Sequence, residues 1–255
     1  MHHHYGPRYH EQLRTSGERD LRNHWRVPRK RVLQFATGGA ILDIGCSSGG
    51  FLRTLRSDAW RLYGIEISSK EARRAEQWSG AQVFAGNILD AQFLPATFDV
   101  VTGLHILEHV YQPAEIIGKV REWLKPRGVF YIQLPNIDSL EAYLFRAYWY
   151  GLELPRHLYH FSPTSLRRLF LHANYQELFL RTLPDCYVER SMRYIFDDVL
   201  LKFGAKAARS PATSHAPGIP WRIVRKAFRL GVLWPFRRLA TACGHGAAIE
   251  AAFQK

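Results

Sequence analysis

The chain has 255 residues, 47% hydrophobic and 22% charged, enough for one large α/β domain plus an appendage but crowded for two full domains. Its formal net charge of +13 is uneven: Met1 to Ala36 carries a surplus of 5 and Tyr187 to Cys243 a surplus of 8, while Thr37 to Cys186 is balanced, which argues against a nucleic-acid partner and for a flank that docks on an anionic surface or presents solvated helix faces. No run approaches the roughly 18 apolar residues of a transmembrane helix, the amino terminus lacks the apolar stretch of a signal peptide, and Cys46, Cys186 and Cys243 show no CxxC spacing, so a cytoplasmic protein without a disulfide framework or zinc site is expected.

Residues 1–36 read as a basic helical segment. Short apolar runs then alternate with helical patterns, beginning with ILDIG (Ile41 to Gly45), which turns on small residues and opens a helix at Phe51. LYGIEI (Leu62 to Ile67) follows, and Ser68 with Glu71 three residues on forms a capping box for a helix through Trp78. QVFAG (Gln82 to Gly86) and FDVVTG (Phe98 to Gly103) are the next strands, and Pro113 starts a helix to Leu124. The stretch Lys125 to Gly128 reads as a turn into a fifth strand, VFYIQL (Val129 to Leu134). An aromatic stretch ending in LPRHLYHF, a helix from Ser162-Pro163 to about Ala173 and a strand from Tyr175 to Leu183 come next. The last strand lies within Ala247 to Phe253, after more than fifty residues that form an inserted subdomain or flap.

The pattern predicts a Rossmann-like, doubly wound, mostly parallel sheet with a helical insertion before its last strand. The expected divisions are 1–36, a core over 37–186, a basic insertion or cap over 187–243, and the last strand over 244–255. At the first turn, backbone approaches a ligand closely, as in dinucleotide folds, but Asp43 beneath that turn would repel a pyrophosphate and suits the ammonium and sulfonium of S-adenosylmethionine. Glu66 ends the second strand, where an acceptor-only side chain takes ribose hydroxyls. DIGCSSGG, the Glu66 strand end, GNILD, FDVVTGLHILEHV, LKPRG and LPN together resemble class I S-adenosylmethionine-dependent methyltransferases from about Ala40 to Leu183.

That resemblance implies that Asp43, Gly45, Cys46, Ser47 and Gly49 hold the methionine end of S-adenosylmethionine. It places Glu66 and Ile67 at the ribose, Asn87 with the Ile88 backbone at the adenine, and His105 at the cleft. Ser47 stands where the family has a second glycine, and Asn87 where an Asp commonly accepts from the adenine. LEHV and PRHLYHF resemble the branch of ubiquinone-pathway, glycan and secondary-metabolite O-methyltransferases, so a small-molecule, glycan or lipid-linked hydroxyl is the expected acceptor. Removing a hydroxyl proton calls for a base, and His109, His157 and His105 are the candidates, with Arg156 orienting the acceptor. The same residues read structurally as loop ties, and His105, Glu108 and His109 have the spacing of metal ligands on a helix, although no metal is expected. Trp221 to Leu239 is basic and amphipathic, with Arg222, Arg225, Lys226 and Arg229 on one face, and would pack as a surface helix or lie on the inner membrane face. The competing functions are an NAD-dependent oxidoreductase or epimerase, which Asp43 and the imperfect glycine pattern disfavour, and a non-catalytic cofactor-binding scaffold.

Overall fold

A computed structural model describes residues 23–57, 59–184, 187–202 and 229–255. The basic face predicted at Arg222, Arg225 and Lys226 lies outside these, as does the side chain of Arg229. In chain order the elements are α1 (Arg26–Phe35), β1 (Gly39–Ile44), α2 (Gly50–Arg53), β2 (Trp60–Glu66), α3 (Ser69–Ser79), β3 (Gln82–Ala85), β4 (Phe98–Leu104) and α4 (Pro113–Trp123). They continue as β5 (Leu124–Pro135), α5 (Leu140–Phe145), α6 (Pro163–His172), β6 (Gln176–Leu183), α7 (Val188–Lys202), α8 (Trp234–Ala242) and β7 (Ala248–Gln254). Among the described residues, no helix is long and apolar enough to cross a membrane.

The seven strands form one mostly parallel sheet in the order β3-β2-β1-β4-β5-β7-β6. β1 pairs in parallel with both β2 and β4, so the chain order reverses on either side of β1 and opens a crevice at the carboxyl ends of these strands. β1 is buried along nearly its whole length, as a central strand covered on both faces must be. Local signals set the helices between strands. Ser68 caps α3 by accepting from the Glu71 N–H, Gly80 ends it in the left-handed region, and Pro113 occupies the first turn of α4.

The predicted turn at Lys125 to Gly128 is instead a looped-out part of β5. Phe98 on β4 faces Leu124, but Val100 faces Val129, so the extra residues bulge from the ladder between these two pairs. Arg127 takes φ +64 there, and Gly128 is packed against the Lys125 and Phe98 carbonyls so closely that an added Cβ would lie 2.9 and 3.1 Å from them.

The chain divides into two compact units. The first comprises Met1–Leu134, Thr164–Leu180 and Glu250–Lys255. Its core includes Ile41, Leu52, Val100 and Tyr131, with Phe170 stacked on Phe253 at 4.0 Å. A buried polar chain joins α1 to the sheet: Arg31 Nε lies 3.3 Å from Glu250 Oε1, Tyr131 donates to the same carboxylate oxygen at 2.7 Å, and Gln133 Nε2 donates to the Tyr131 oxygen at 2.6 Å. The second unit comprises Pro135–Pro163 and Arg181–Ile249. It therefore gathers the aromatic segment, expected within the core over 37–186, together with the insertion. The reason is visible in its bonds: Tyr148 donates to Asp198 at 2.6 Å, the Tyr150 N–H to Ser191 at 2.9 Å and the Tyr187 N–H to Glu141 at 2.8 Å.

Candidate active site

The carboxyl ends of β1 to β4 in the first unit carry all ten residues expected at the cofactor. The turn after β1 is built by backbone geometry: the Gly45 and Cys46 N–H groups both donate to the Ile65 carbonyl of β2, and the Gly49 N–H returns to the Cys46 carbonyl. Gly45 has φ +71, and a Cβ there would lie 2.3 Å from the end of Ile106, so only glycine leaves this approach open. Gly49, at φ +81, opens α2 against Ala75. Ser47, in the place of a glycine, keeps the glycine-like backbone with φ +49. A side chain in that region costs about 1 kcal/mol or more.

Asp43 is buried at 4% exposure and accepts from the Thr102 hydroxyl at 2.6 Å, a contact that the pairing of Asp43 with Thr102 across β1 and β4 enforces. Burial pushes its carboxyl up to about 7, the Thr102 hydrogen bond opposing and the negative charge of Glu66 reinforcing the rise. Burial likewise pushes the Cys46 thiol up, which makes it a neutral packing group. Glu66 accepts from the Ser47 N–H at 3.0 Å with one oxygen and from the Ser68 N–H at 2.9 Å with the other. The sequence reading did not foresee this double clamp or the Thr102 contact. A carboxylate offers about four acceptor directions, so the clamp fixes Glu66 without exhausting it. Ile67 follows it, half-buried, and the Glu66 carbonyl takes the Gly86 N–H at 3.0 Å, tying the turn after β3 to the same place.

Asn87 caps a short 3-10 turn, Ile88–Asp90, by accepting from the Leu89 N–H at 3.0 Å, and Ile88 is buried within it. Lys119 of α4 donates to the Leu89 carbonyl, so both backbone polar groups of Leu89 are held.

The histidines divide. His105 directly follows β4 with φ +58, its side chain is 41% exposed, and Nδ1 lies 3.4 Å from Glu108 Oε1. Glu108 is almost fully buried. Burial alone would raise its carboxyl, but the hydrogen bond and charge of His105, with the charge of His109, hold it below the usual carboxylate range. His109 is buried. Leu107–His109 is a single 3-10 turn, so the α-helical face on which His105, Glu108 and His109 would align as metal ligands is not formed. Arg156 and His157 belong to the second unit. His157 Nδ1 donates to the Gly151 carbonyl at 2.7 Å, and Nε2 lies 3.2 Å from Glu153, whose other oxygen pairs with Arg156. Both ring nitrogens thus face oxygens that only accept, an arrangement that suits a tie within the aromatic segment better than a base.

Comparison with known proteins bears on the same region. The family model described as a methyltransferase domain matches residues 17–178. A ubiquinone biosynthesis O-methyltransferase of Paraburkholderia xenovorans is 37% identical over 116 residues, covering 43% of this chain and 49% of that protein. The mitochondrial enzyme of the same description from Schizosaccharomyces pombe is 33% identical over 100 residues, 36% of each chain. The chain thus spans half or less of the length of these curated relatives. Among solved structures, a SAM-dependent methyltransferase from Archaeoglobus fulgidus superposes with a TM-score of 0.62 at 16% identity over 97% of this chain and 98% of that one, a likeness of fold.

Proposed function

The chain belongs to the methyltransferase-domain family, and from that membership we propose that it transfers the methyl group of S-adenosylmethionine to a hydroxyl oxygen. The observation that carries this reading is the pair of buried carboxylates at the turn after β1. Asp43, 4% exposed with the Thr102 hydroxyl as its donor, is costly as a carboxylate unless a bound positive charge offsets it, and Glu66 is pre-aimed by two backbone donors. Asp43 with the Gly45 to Gly49 turn would hold the methionine end, Glu66 the ribose, and the Asn87–Ile88 turn the adenine. The bound cofactor supplies an electrophilic methyl group, so the protein is left with alignment and one proton.

For that proton the best-placed group is His105. Its Nδ1 lies 3.4 Å from Glu108 Oε1; turning the Nδ1–H to that carboxylate would leave Nε2 to take a proton from an acceptor hydroxyl, and the buried charge of Glu108 would favour the ring once it has done so. Glu108 is then a positioning residue. The hydroxyl belongs to a small molecule, glycan or lipid-linked compound, a range supported by the relatives being ubiquinone biosynthesis O-methyltransferases. The basic segment over 187–243 would make peripheral contact with an anionic membrane face. The test is transfer of a labelled methyl group to a panel of hydroxylated acceptors. His105→Ala should lower turnover by about 10² or more, well beyond any loss of affinity for S-adenosylhomocysteine, and Glu108→Gln should lower it less and shift the pH profile. Full turnover in both variants would remove the base from this mechanism.

A further inference from the structure

We propose that the outward face of α7, together with the α8 region, seats in the headgroup boundary of an anionic lipid bilayer; this deepens the peripheral contact proposed above and rests on it. One side of α7 is committed inside its unit. Val188 is buried, Ser191 binds the Tyr150 N–H, and Asp198 binds the Tyr148 hydroxyl. Turned away from these contacts, Met192 and Phe196 are exposed by 49% and 62% at spacing i, i+4, and Ile195, on the same face as Val188 and Ser191, still exposes 37% of its surface.

Exposed Arg193 borders Phe196 on α7, while Arg190, also exposed, lies over the Tyr150 ring on the other side of the helix. The α8 region repeats the composition: Val232, Trp234 and Leu239 are exposed, with Arg238 beside the Trp234 ring at 5.2 Å. Most of the exposed large apolar side chains among the described residues belong to this second unit, and the stretch Tyr187 to Cys243 holds eight of the surplus positive charges. Water accommodates the arginines but not the apolar stripe, and an uncharged protein surface does the reverse. An anionic bilayer accepts both, with apolar side chains at the acyl boundary, guanidinium groups among the headgroups and an indole at the interface. The sequence reading placed the basic amphipathic segment at Trp221 to Leu239; α7 adds a second, mixed apolar and basic face that it did not foresee.

The experiment is co-sedimentation of the full chain with vesicles of phosphatidylcholine alone or mixed with phosphatidylglycerol. The parent should pellet only with the mixed vesicles. Met192→Asp with Phe196→Asp, both on exposed positions, should weaken partitioning about tenfold or more, as should Arg193→Gln with Arg238→Gln. Unchanged binding of S-adenosylhomocysteine shows that each variant is folded and that the methyltransferase reading stands apart from this one. A parent that stays in the supernatant overturns both the α7 seat and the peripheral contact. A parent that pellets while the double Asp variant pellets equally overturns the α7 seat alone, and equal pelleting with neutral vesicles overturns the anionic partner. A parent that dimerises in sedimentation velocity, with a monomeric double Asp variant and no vesicle binding, assigns the face to a second copy and overturns the proposal.

Discussion

Asp43 meets two demands that oppose each other. The fold disfavours its charge, so burial lifts its carboxyl to about 7, while the ammonium proposed to bind beside it would require that charge. Below that pH the carboxyl is protonated, and binding must expel the proton, so affinity for S-adenosylhomocysteine should fall by up to about tenfold per pH unit and level off above it. Asp43→Asn should bind more weakly and without this slope in calorimetry across pH 7. The sign for the unliganded fold is the reverse. A folded pKa above the unfolded one contributes stability that is complete below the usual carboxylate range and is lost as pH rises through about 7. The unliganded Asn variant should therefore melt above the parent at alkaline pH, with the gap closing toward acid; a parent that melts higher throughout would show that the Asp43 carboxylate is already compensated.

The looped-out stretch of β5 shows what a composition signal captures and what it does not. Lys-Pro-Arg-Gly reads as a turn because each residue type interrupts a ladder, and the ladder is indeed interrupted, yet the strand resumes on the same partner. Gly128 holds that geometry by proximity to carbonyls on both sides. Gly128→Ala should cost about 1 to 3 kcal/mol, visible as a lower urea midpoint with an unchanged slope. The strands of the sheet were legible because each is a short apolar run bounded by breakers, and α3, α4 and α6 because a cap or proline opens them. α5 was not. It is only six residues long, and its cap, Ser139 accepting from the Ala142 N–H at 3.0 Å, sits in an aromatic stretch where no periodicity develops.

At the scale of the whole chain, sequence order carried the placement of the candidate cofactor residues at the carboxyl edge, because strand ends recur at spacings a parallel sheet imposes. It could not carry contacts set by strand register or by the exact path of a local turn. Thr102 under Asp43, the two backbone donors on Glu66 and the pairing of Glu153 with both Arg156 and His157 depend on register or on a local turn. The chain from Arg31 through Glu250 and Tyr131 to Gln133 is the longest such case, drawing on α1, β7 and β5. It also has a polarity. A carboxylate can only accept, so the Tyr131 proton must point at Glu250; the Tyr131 oxygen must then accept, and Gln133 can offer it only the amide nitrogen. A single buried negative charge thus decides which way round a glutamine lies near the end of β5, turning its carbonyl oxygen away from Tyr131. Glu250→Gln, which can donate as well as accept, would free the part from position 250 through Tyr131 to Gln133 to run backwards, with Arg31 still donating. Nitrogen-15 spectra should then show two environments for the Gln133 side-chain amide where the parent shows one, and a single environment in both proteins would mean that the orientation is set elsewhere.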